Sequence, residues 1–309
     1  MNKKFKISVI IPLLNEEGNI NNLIEKLVKT LKPYSNYEII FIDDGSKDKT
    51  LKKIKDGIKK NKKIRYISFS RNFGHQNALR AGLDYAKGDC IVMMDGDMQH
   101  PPELIPQLVS KWLKGYEIIN TSRKDVKSIS LYKRKTSSLF YKIINNFSDI
   151  NIDQGAADFR LIDRKVVEIL KTIREDNVFM RGMISWLGFK QISISYEPQE
   201  RYSGTSKYTL KKMVALALSG ITSFSTKPLQ ISTMVGYLMA LMAFLYGIYA
   251  IYMKIFTNNN LPGWTSVLIT VLFIGGIQMI MLGIVGEYIG RIFIESKKRP
   301  NYIIKEKNI

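Results

Sequence analysis

Two stretches near the end of the chain carry no charged side chain, namely residues 228–253 and 255–286. A helix needs ~20 mainly apolar residues to cross the hydrocarbon core of a bilayer, and both stretches exceed that length. A pair of buried core helices is the alternative, but the length and the absence of charge favour membrane spans. The sequence therefore predicts a membrane segment over 228–290, with transmembrane helices at about 229–253 and 264–288.

Positive charge lies on both outer flanks of this segment, whereas only Lys254 lies between the two helices. The flanking cations are Lys207, Lys211, Lys212 and Lys227 before the first helix and Arg291, Lys297, Lys298, Arg299, Lys305 and Lys307 after the second. Because positive residues stay on the cytoplasmic side, we expect both termini to be cytoplasmic, with residues 291–309 forming a basic tail. Residues 207–227 are predicted to form an amphipathic segment that lies on the inner leaflet.

The chain has 47 Lys and Arg residues against 27 Asp and Glu residues, which gives a net charge of +20. A charge of this size indicates an anionic partner, such as nucleic acid, a phosphate-rich substrate or an anionic membrane. Since the basic residues cluster at the membrane boundary and no recognised nucleic-acid-binding module occurs, we expect a membrane and no nucleic acid. The single cysteine, Cys90, lies in an apolar run, where a buried and unreactive thiol is expected.

Before the membrane segment, apolar strand-like runs alternate with helical stretches. The strand-like runs are 6–14, 37–46, 64–70 and 90–97, and the helical stretches between them are 16–32, 47–60 and 74–86. The first run resembles the start of a signal peptide, but it is short and no small-residue cleavage site follows, so a strand is the better interpretation. Strand–helix alternation builds a parallel sheet, and the predicted fold class is therefore α/β.

Polar and acidic residues follow three of these strands at the point where each strand ends. They are Asn15 and Glu16, Asp43 and Asp44, and Asp95 and Asp97. In parallel sheets, ligands bind beyond the carboxyl ends of the strands. This edge of the sheet is therefore the predicted active site.

The acids at this edge need a positive partner or water, because like charges repel. No G-x-G-x-x-G follows the first strand and no G-x-x-x-x-G-K-[ST] occurs, so dinucleotide and P-loop sites lose their main support. Carboxylates prefer hard cations such as Mg²⁺ or Mn²⁺, which bridge them to substrate phosphates. We therefore predict that the D-x-D formed by Asp95 and Asp97 holds a metal that holds a diphosphate, although such a motif alone is more often a solvated loop.

Four stretches of the chain resemble the inverting glycosyltransferases of family 2, whose nucleotide-sugar fold is called GT-A. They are VIIPLLNEEGNI (9–20), IDDGSKDKT (42–50), RNFGHQNALRAG (71–82) and MDGDMQHPPELIP (94–106). Three later stretches resemble the polyprenyl-phosphate glycosyltransferases, the group that includes dolichyl-phosphate mannose synthase and the bactoprenol glucosyltransferases. They are DFRLIDRKVV (158–167), RYSGTSKYTLKKM (201–213) and GEYIGRIFIESKKRPNYII (286–304). The resemblance implies a cytoplasmic GT-A domain over 1–206, ahead of the interfacial and membrane segments.

The resemblance also implies roles for individual residues. The implied nucleotide contacts are Pro12, Glu16, Asp43, Asp44 and Asp95, and the implied metal ligands are Asp95 and Asp97, with Asp97 the more direct one. Asp158 matches the acidic position that relatives place near the acceptor, and as a catalytic residue it could orient the phosphate, accept its residual proton or hold Arg160. The candidates for binding lipid phosphate or donor diphosphate are Arg123, Arg134, Arg201 and Lys207. His75 and His100 are expected to have structural or supporting roles.

The function that the resemblance implies is transfer of a sugar to a polyprenyl phosphate on the cytoplasmic leaflet of the cell membrane. The expected donor is UDP-glucose or UDP-N-acetylglucosamine, and the expected acceptor is undecaprenyl phosphate. A phosphate monoester has a second pKa near ~6 and is mostly dianionic at neutral pH, so such an acceptor needs little help from a general base. Relatives form homo-oligomers, and a tetramer is one form to expect.

Other functions remain open at this point. One is transfer of mannose from GDP-mannose to a polyprenyl phosphate. A polysaccharide synthase is another, although the Q-x-x-R-W signature that those enzymes typically carry does not occur here. A third is a non-catalytic nucleotide-binding membrane protein, against which the intact acids at three strand ends argue.

Overall fold

The computed structural model describes residues 5–123, 156–173, 175, 180–197, 225–257 and 263–309. Three predicted phosphate-binding residues, Arg134, Arg201 and Lys207, lie outside the described residues, as does most of the predicted interfacial segment. The strands are β1 (Ile7–Leu13), β2 (Tyr37–Asp43), β3 (Ile64–Phe69), β4 (Cys90–Met93), β5 (Ile118–Arg123), β6 (Ala156–Asp163), β7 (Gln191–Tyr196) and β8 (Ile304–Lys307). The helices are α1 (Ile20–Leu31), α2 (Thr50–Lys60), α3 (His75–Tyr85), α4 (Ile105–Leu113), α5 (Arg164–Thr172), α6 (Met180–Trp186), α7 (Lys227–Thr257) and α8 (Trp264–Ser296), with a short 3₁₀ turn at Pro102–Leu104.

These strands form one sheet in the order β7-β5-β6-β4-β1-β2-β3-β8. The four strands predicted from the sequence are its parallel centre, because β1 pairs in parallel with β2 and β4, and β2 pairs in parallel with β3. Strand β6 runs antiparallel to both β4 and β5. The predicted α/β class is confirmed, and the antiparallel insertion of β6 beside β4 is an addition that the simple alternation did not predict.

Helices cover both faces of the sheet because the central strands are apolar on both sides. Along β1, Val9 and Ile11 pack into the cluster that contains α1, α2 and α4, whereas Ile10 packs into the cluster that contains α3, α5 and α6. This is the period-two alternation of side chains along a strand. Cys90 is fully buried in the first cluster, and burial raises the pKa of its thiol, so it is the unreactive cysteine that the sequence predicts.

Helices α7 and α8 are long and apolar, and they extend beyond the predicted spans. Residues Lys227–Met253 and Ile269–Ser296 are each long and apolar enough to cross a membrane, and the protein buries neither of them. The second helix continues past the predicted end at 288 to Ser296. Length, composition and exposure therefore all fit the predicted membrane hairpin.

After α8 the chain returns to the sheet, which differs from a simple basic tail over 291–309. Strand β8 pairs antiparallel with β3. The Tyr302 ring stacks on Phe69 with 5.1 Å between centroids, and its hydroxyl donates to Asp84 at 2.7 Å. The short run Ile304–Lys307 alternates between half-buried and exposed positions, as suits a charged strand at the edge of a sheet.

A buried carboxylate ties the beginnings of β1, β2 and β4 together. Glu38 is 2% exposed and accepts from Lys6 Nζ at 2.7 Å, from Ser8 Oγ at 2.6 Å and from the Lys87 N–H at 2.8 Å. Burial alone would raise the pKa of Glu38, but these three donors outweigh it and lower the pKa below its usual value.

We expect Glu38→Gln to lower the free energy of unfolding by ~2 kcal/mol at pH 7, because buried donors lose a charged partner. The folded-state pKa is depressed, so the stabilisation is present above the unfolded pKa of ~4.3. It is lost as the pH falls through the lower folded pKa. The difference in the free energy of unfolding between Glu38→Gln and the wild-type protein should therefore become smaller at acidic pH. Urea titrations of the detergent-purified protein at pH 7 and in acid measure it, with the exposed Glu25→Gln as the matched control. A Glu38→Gln effect that does not depend on pH would contradict this assignment.

Candidate active site

The acids predicted to share one edge of the sheet do so. Strands β4, β1 and β2 are neighbours and parallel, and Asp95 follows the end of β4, Glu16 follows β1, and Asp44 follows β2. Asp158 joins them because β6 pairs with β4 on the other side. The carboxyl edge of the parallel centre is therefore acidic.

Asp43 and Asp44 order two loops at this edge. Asp44 accepts the N–H groups of Phe73 at 2.7 Å and Gly74 at 3.0 Å, one on each carboxylate oxygen. Burial raises the pKa of Asp44 despite these two donors, and the charge of Asp43 adds to the rise. Asp43 accepts from Ser68 Oγ at 2.8 Å. Both side chains thus connect β2 to β3 and the loop before α3, and their nucleotide contact stays a prediction.

The turn after Asp44 leaves room only for glycine. Gly45 has a φ of +70°, and a Cβ there would lie 2.5 Å from the carbonyl carbon of Arg71. Since that neighbour is backbone, it cannot move aside as a side chain would. The loops after β2 and β3 therefore meet at this point.

Pro12 and Glu16 lie at and beyond the end of β1. Pro12 is buried opposite Ile42 in the ladder. The backbone N–H of Glu16 donates to Thr50 Oγ1 at 2.9 Å, and its side chain accepts from Asn19 Nδ2 at 2.6 Å. These contacts fix the β1 loop against the start of α2, and the roles of both residues toward a nucleotide remain predictions.

The two carboxylate oxygens of Asp95 have different surroundings. Its Oδ2 lies 2.9 Å from His100 Nε2. Its Oδ1 is buried and has no hydrogen-bond partner among the described residues, although His75 Nε2 lies 3.4 Å away. Burial would raise the pKa of Asp95, but the two histidines outweigh it and lower the pKa. One oxygen of Asp95 is thus held by a hydrogen bond to His100, whereas the other has only the longer contact with His75.

Asp97 lies in a turn two residues further on. Its Oδ1 accepts the Gln99 N–H at 3.1 Å. Met98, between them, is buried and has a φ of +66°, a left-handed conformation that is uncommon for a residue with a Cβ. Such backbone strain persists only where the surroundings hold it, and it clusters at functional sites.

Asp158 is held by an arginine that the sequence analysis did not single out. Arg181, in α6, donates from Nε to Oδ1 at 2.7 Å and from a terminal nitrogen to Oδ2 at 2.9 Å. His75 Nε2 lies 3.6 Å from Asp158 and Arg160 lies 3.7 Å away. Burial opposes ionisation, but Arg181 and His75 outweigh it and hold the pKa of Asp158 well below its usual range. Asp158 is therefore ionised and a weak proton acceptor.

His75 stands between the two acids Asp95 and Asp158. Burial would lower the pKa of its imidazole, but the nearby carboxylates of Asp158 and Asp95 outweigh it and raise the pKa. It begins α3 immediately after the loop that Asp44 holds. His75 therefore contacts two of the acids at this edge directly. The sequence signal that points to this position is the stretch RNFGHQNALRAG, in which His75 lies.

A buried chain of side chains connects Asp95 to Arg123. His100 is fully buried, and its Nδ1 lies 2.7 Å from the hydroxyl oxygen of Tyr196. Arg123 Nε donates to the same hydroxyl at 3.3 Å. Of the predicted phosphate-binding residues, Arg123 is thus the one that the described part of the chain connects to the acids. Tyr196 and Arg181 were missed because neither belongs to a recognisable motif.

The sequence matches the glycosyl transferase family 2 over residues 8–170, a range that covers the acidic edge and its loops. Because the match spans more than half of the chain, the protein belongs to this family. Residues 227–292 match the GtrB C-terminal hairpin, which covers α7 and most of α8. The protein is therefore a membrane-associated glycosyltransferase.

Relatives with both parts are found in bacteria and their phages. The chain is 44% identical to the bactoprenol glucosyl transferase of Shigella phage SfV over 302 residues, which cover 97% of this chain and 98% of that one. It is 45% identical to a prophage bactoprenol glucosyl transferase homolog of Escherichia coli K12, with the same coverage. It is 41% identical to the uncharacterized glycosyltransferase YkcC of Bacillus subtilis, over 99% of this chain and 95% of that one.

Solved structures show the same GT-A fold at low identity. The mannosyltransferase PcManGT from Pyrobaculum calidifontis, in complex with GDP-Man and Mn²⁺, matches with a TM-score of 0.52 at 16% identity, covering 72% of this chain and 64% of that one. Mannosyl-3-phosphoglycerate synthase from Rubrobacter xylanophilus matches with a TM-score of 0.51 at 15% identity, covering 70% and 73%. The expected fold is confirmed.

Because Asp158 is buried and Arg181 is partly buried, we expect Arg181→Gln to lower the free energy of unfolding by ~2 kcal/mol, since it leaves Asp158 without its main partner. Adding Asp158→Asn should restore part of that loss, because the double variant no longer carries an ionised carboxylate at position 158 that lacks its main partner. Urea denaturation of the two single variants and the double variant forms a cycle that measures the coupling. Strictly additive losses would show that the pair does not stabilise the fold as a unit.

Proposed function

We propose that this protein transfers a sugar from a nucleotide sugar to a polyprenyl phosphate at the cytoplasmic face of a membrane. The observation that carries the proposal is the likeness to bactoprenol glucosyl transferases at 44–45% identity over 97% of the chain. That likeness spans the acidic edge of the sheet and the apolar hairpin together. A transferase with a lipid-linked acceptor needs its catalytic site held at a membrane, and this chain contains both a catalytic domain and an apolar hairpin.

A divalent cation fits the acidic edge. Asp95 Oδ1 is a buried carboxylate oxygen without a hydrogen-bond partner among the described residues, and oxygen ligands of this kind suit Mg²⁺ or Mn²⁺. The described residues contain no cluster of three or more His, Cys, Asp or Glu that would enclose a metal, which suits an ion completed by substrate phosphates. Asp95 and Asp97 would hold it. The bound ion would stabilise the charge that develops on the leaving nucleoside diphosphate.

Asp158 is suited to orient the acceptor site and not to remove a proton. Its carboxylate is ionised and engaged on both oxygens by Arg181, so it fixes the guanidinium of that residue. A lipid phosphate is mostly dianionic at neutral pH, since the second pKa of a phosphate monoester is ~6, and it attacks without a general base. In-line attack on the anomeric carbon of an α-linked donor would give a β-linked product.

Cations would position the acceptor phosphate. Arg123 lies at the end of β5, connected to the acids through Tyr196 and His100. The other three proposed phosphate ligands are Arg134, Arg201 and Lys207, which lie outside the described residues. Arginine suits this role because its planar fork of donors matches phosphate oxygens.

The sheet supports the proposed membrane topology. Strand β3 precedes α7 in the chain and β8 follows α8, yet the two strands are paired. The chain before the hairpin and the chain after it must therefore lie on the same side of a membrane, as two crossings require. The basic flanks support the cytoplasm as that side by the positive-inside rule, against an anionic leaflet. We further propose a homo-oligomer, such as a tetramer.

The donor and acceptor can be tested directly with detergent-purified protein and undecaprenyl phosphate. UDP-glucose, UDP-N-acetylglucosamine and GDP-mannose are offered in turn with Mg²⁺, with Mn²⁺ and with a chelator. We expect glycolipid and nucleoside diphosphate in equal amounts from a UDP-sugar, and none with the chelator. Product from GDP-mannose alone would replace the proposed donor. Tight nucleotide binding without product from any donor would favour a non-catalytic protein.

Asp97→Asn should reduce turnover by at least ~100-fold, because the proposed metal loses a charged ligand while the turn is kept. The measurement is glycolipid formation at saturating donor and metal. The matched control is Asp56→Asn on α2, an exposed acid whose partner is Lys59. If Asp97→Asn retained substantial activity while Asp56→Asn behaved as wild type, Asp97 would have no role toward the metal.

A further inference from the structure

The side chains of Arg123, Tyr196, His100 and Asp95 form a hydrogen-bonded series. The two residues at its ends determine which atom donates in each hydrogen bond. The guanidinium of Arg123 only donates, so the hydroxyl oxygen of Tyr196 accepts from it. At the other end the ionised carboxylate of Asp95 only accepts, so His100 Nε2 carries the proton that it donates to Oδ2. Tyr196 then donates its own proton to His100 Nδ1. In this arrangement all three hydrogen bonds run in one direction.

The two middle residues of this hydrogen-bonded series, His100 and Tyr196, are tightly packed. His100 is 0% exposed and Tyr196 is 4% exposed. The ring centroid of His100 lies 5.4 Å from that of Phe159 and 5.9 Å from that of Tyr196. Phe159 and Tyr196 are themselves packed edge to face at 6.1 Å. The imidazole therefore has one orientation, and that orientation selects Oδ2 of Asp95.

We propose that His100 and Tyr196 are positioning residues that turn the carboxylate of Asp95 so that its Oδ1 is presented to a divalent cation. The inference rests on the proposed function, because it takes Asp95 as a cation ligand. Two observations carry it: Oδ2 is occupied by His100, and the neighbouring Oδ1 is buried without a hydrogen-bond partner among the described residues, with His75 Nε2 3.4 Å away. Groups that orient a metal ligand typically change metal affinity or activity by ~10–100-fold when they are removed.

The same hydrogen-bonded series ties the proposed cation site to Arg123, a proposed anion-binding residue. Arg123 ends β5, Tyr196 ends β7, and these strands are paired in parallel with Arg123 opposite Tyr196. The register of two strands at one side of the sheet therefore sets where Asp95 points beyond β4. A fully buried imidazole needs a partner on each ring nitrogen, and here those partners are Asp95 and Tyr196.

The test is Mn²⁺ binding to full-length, detergent-purified protein, measured by electron paramagnetic resonance of the free ion, with and without UDP. Tyr196→Phe keeps the aromatic ring and removes the hydroxyl. His100→Leu removes both ring nitrogens, whereas His100→Gln keeps an N–H donor that reaches the Nε2 position. We expect the dissociation constant of Mn²⁺ to rise ~10-fold in Tyr196→Phe and at least as much in His100→Leu, with a smaller rise in His100→Gln.

Thermal unfolding in the presence of a chelator separates positioning from folding. A metal-free unfolding temperature of Tyr196→Phe close to that of wild type, together with weaker Mn²⁺ binding, supports the proposal. If His100→Leu fails to fold, the Mn²⁺ affinities of Tyr196→Phe and His100→Gln still test the proposal. Wild-type Mn²⁺ affinity in Tyr196→Phe and His100→Gln would overturn the proposal, as would Mn²⁺ binding that Asp95→Asn leaves unchanged. If Asp95-dependent Mn²⁺ binding is present but no donor yields glycolipid, the proposed function fails and this inference stands.

Discussion

Mutual repulsion among carboxylates at one end of the sheet is the constraint that the surrounding structure must satisfy. Asp43, Asp44 and Asp158 are all less than a tenth exposed, and Asp95 lies beside them. Buried charges of one sign are unfavourable unless each has a partner with good geometry. The loops and helices at this end of the sheet supply those partners.

Each acid is compensated in a different way, and the difference suits its proposed role. Asp44 takes two backbone N–H groups and thereby shapes the loop before α3. Asp158 takes the full fork of Arg181, which keeps it ionised. Asp95 takes a hydrogen bond from His100 on Oδ2, whereas Oδ1 has only the longer contact with His75 and no hydrogen bond among the described residues. A structure that satisfied every oxygen from within would leave nothing for a cation to bind.

The acidic edge could be predicted from the sequence because it depends only on parallel strands and on which residues follow them. Asp95 and Asp44 are brought together by topology alone. Arg181 and Tyr196 could not be predicted in this way, since their positions depend on β6 being inserted antiparallel beside β4 and on β7 pairing with β5. Strand β8 was missed for another reason. Its four residues, Ile304–Lys307, include three charged ones, and a run this short and polar has no strand signal of its own.

The pairing of β8 with β3 also has a consequence for the order of events during synthesis. Strand β3 leaves the ribosome early, whereas β8 follows only after both apolar helices have been made. Until then β3 is an unpaired sheet edge, which is a template for wrong pairing. The last strand of the soluble domain can close that edge only when the chain has come back from the hairpin. Completion of the sheet therefore requires that both helices have been made, and a chain that stops between them keeps an open edge at β3.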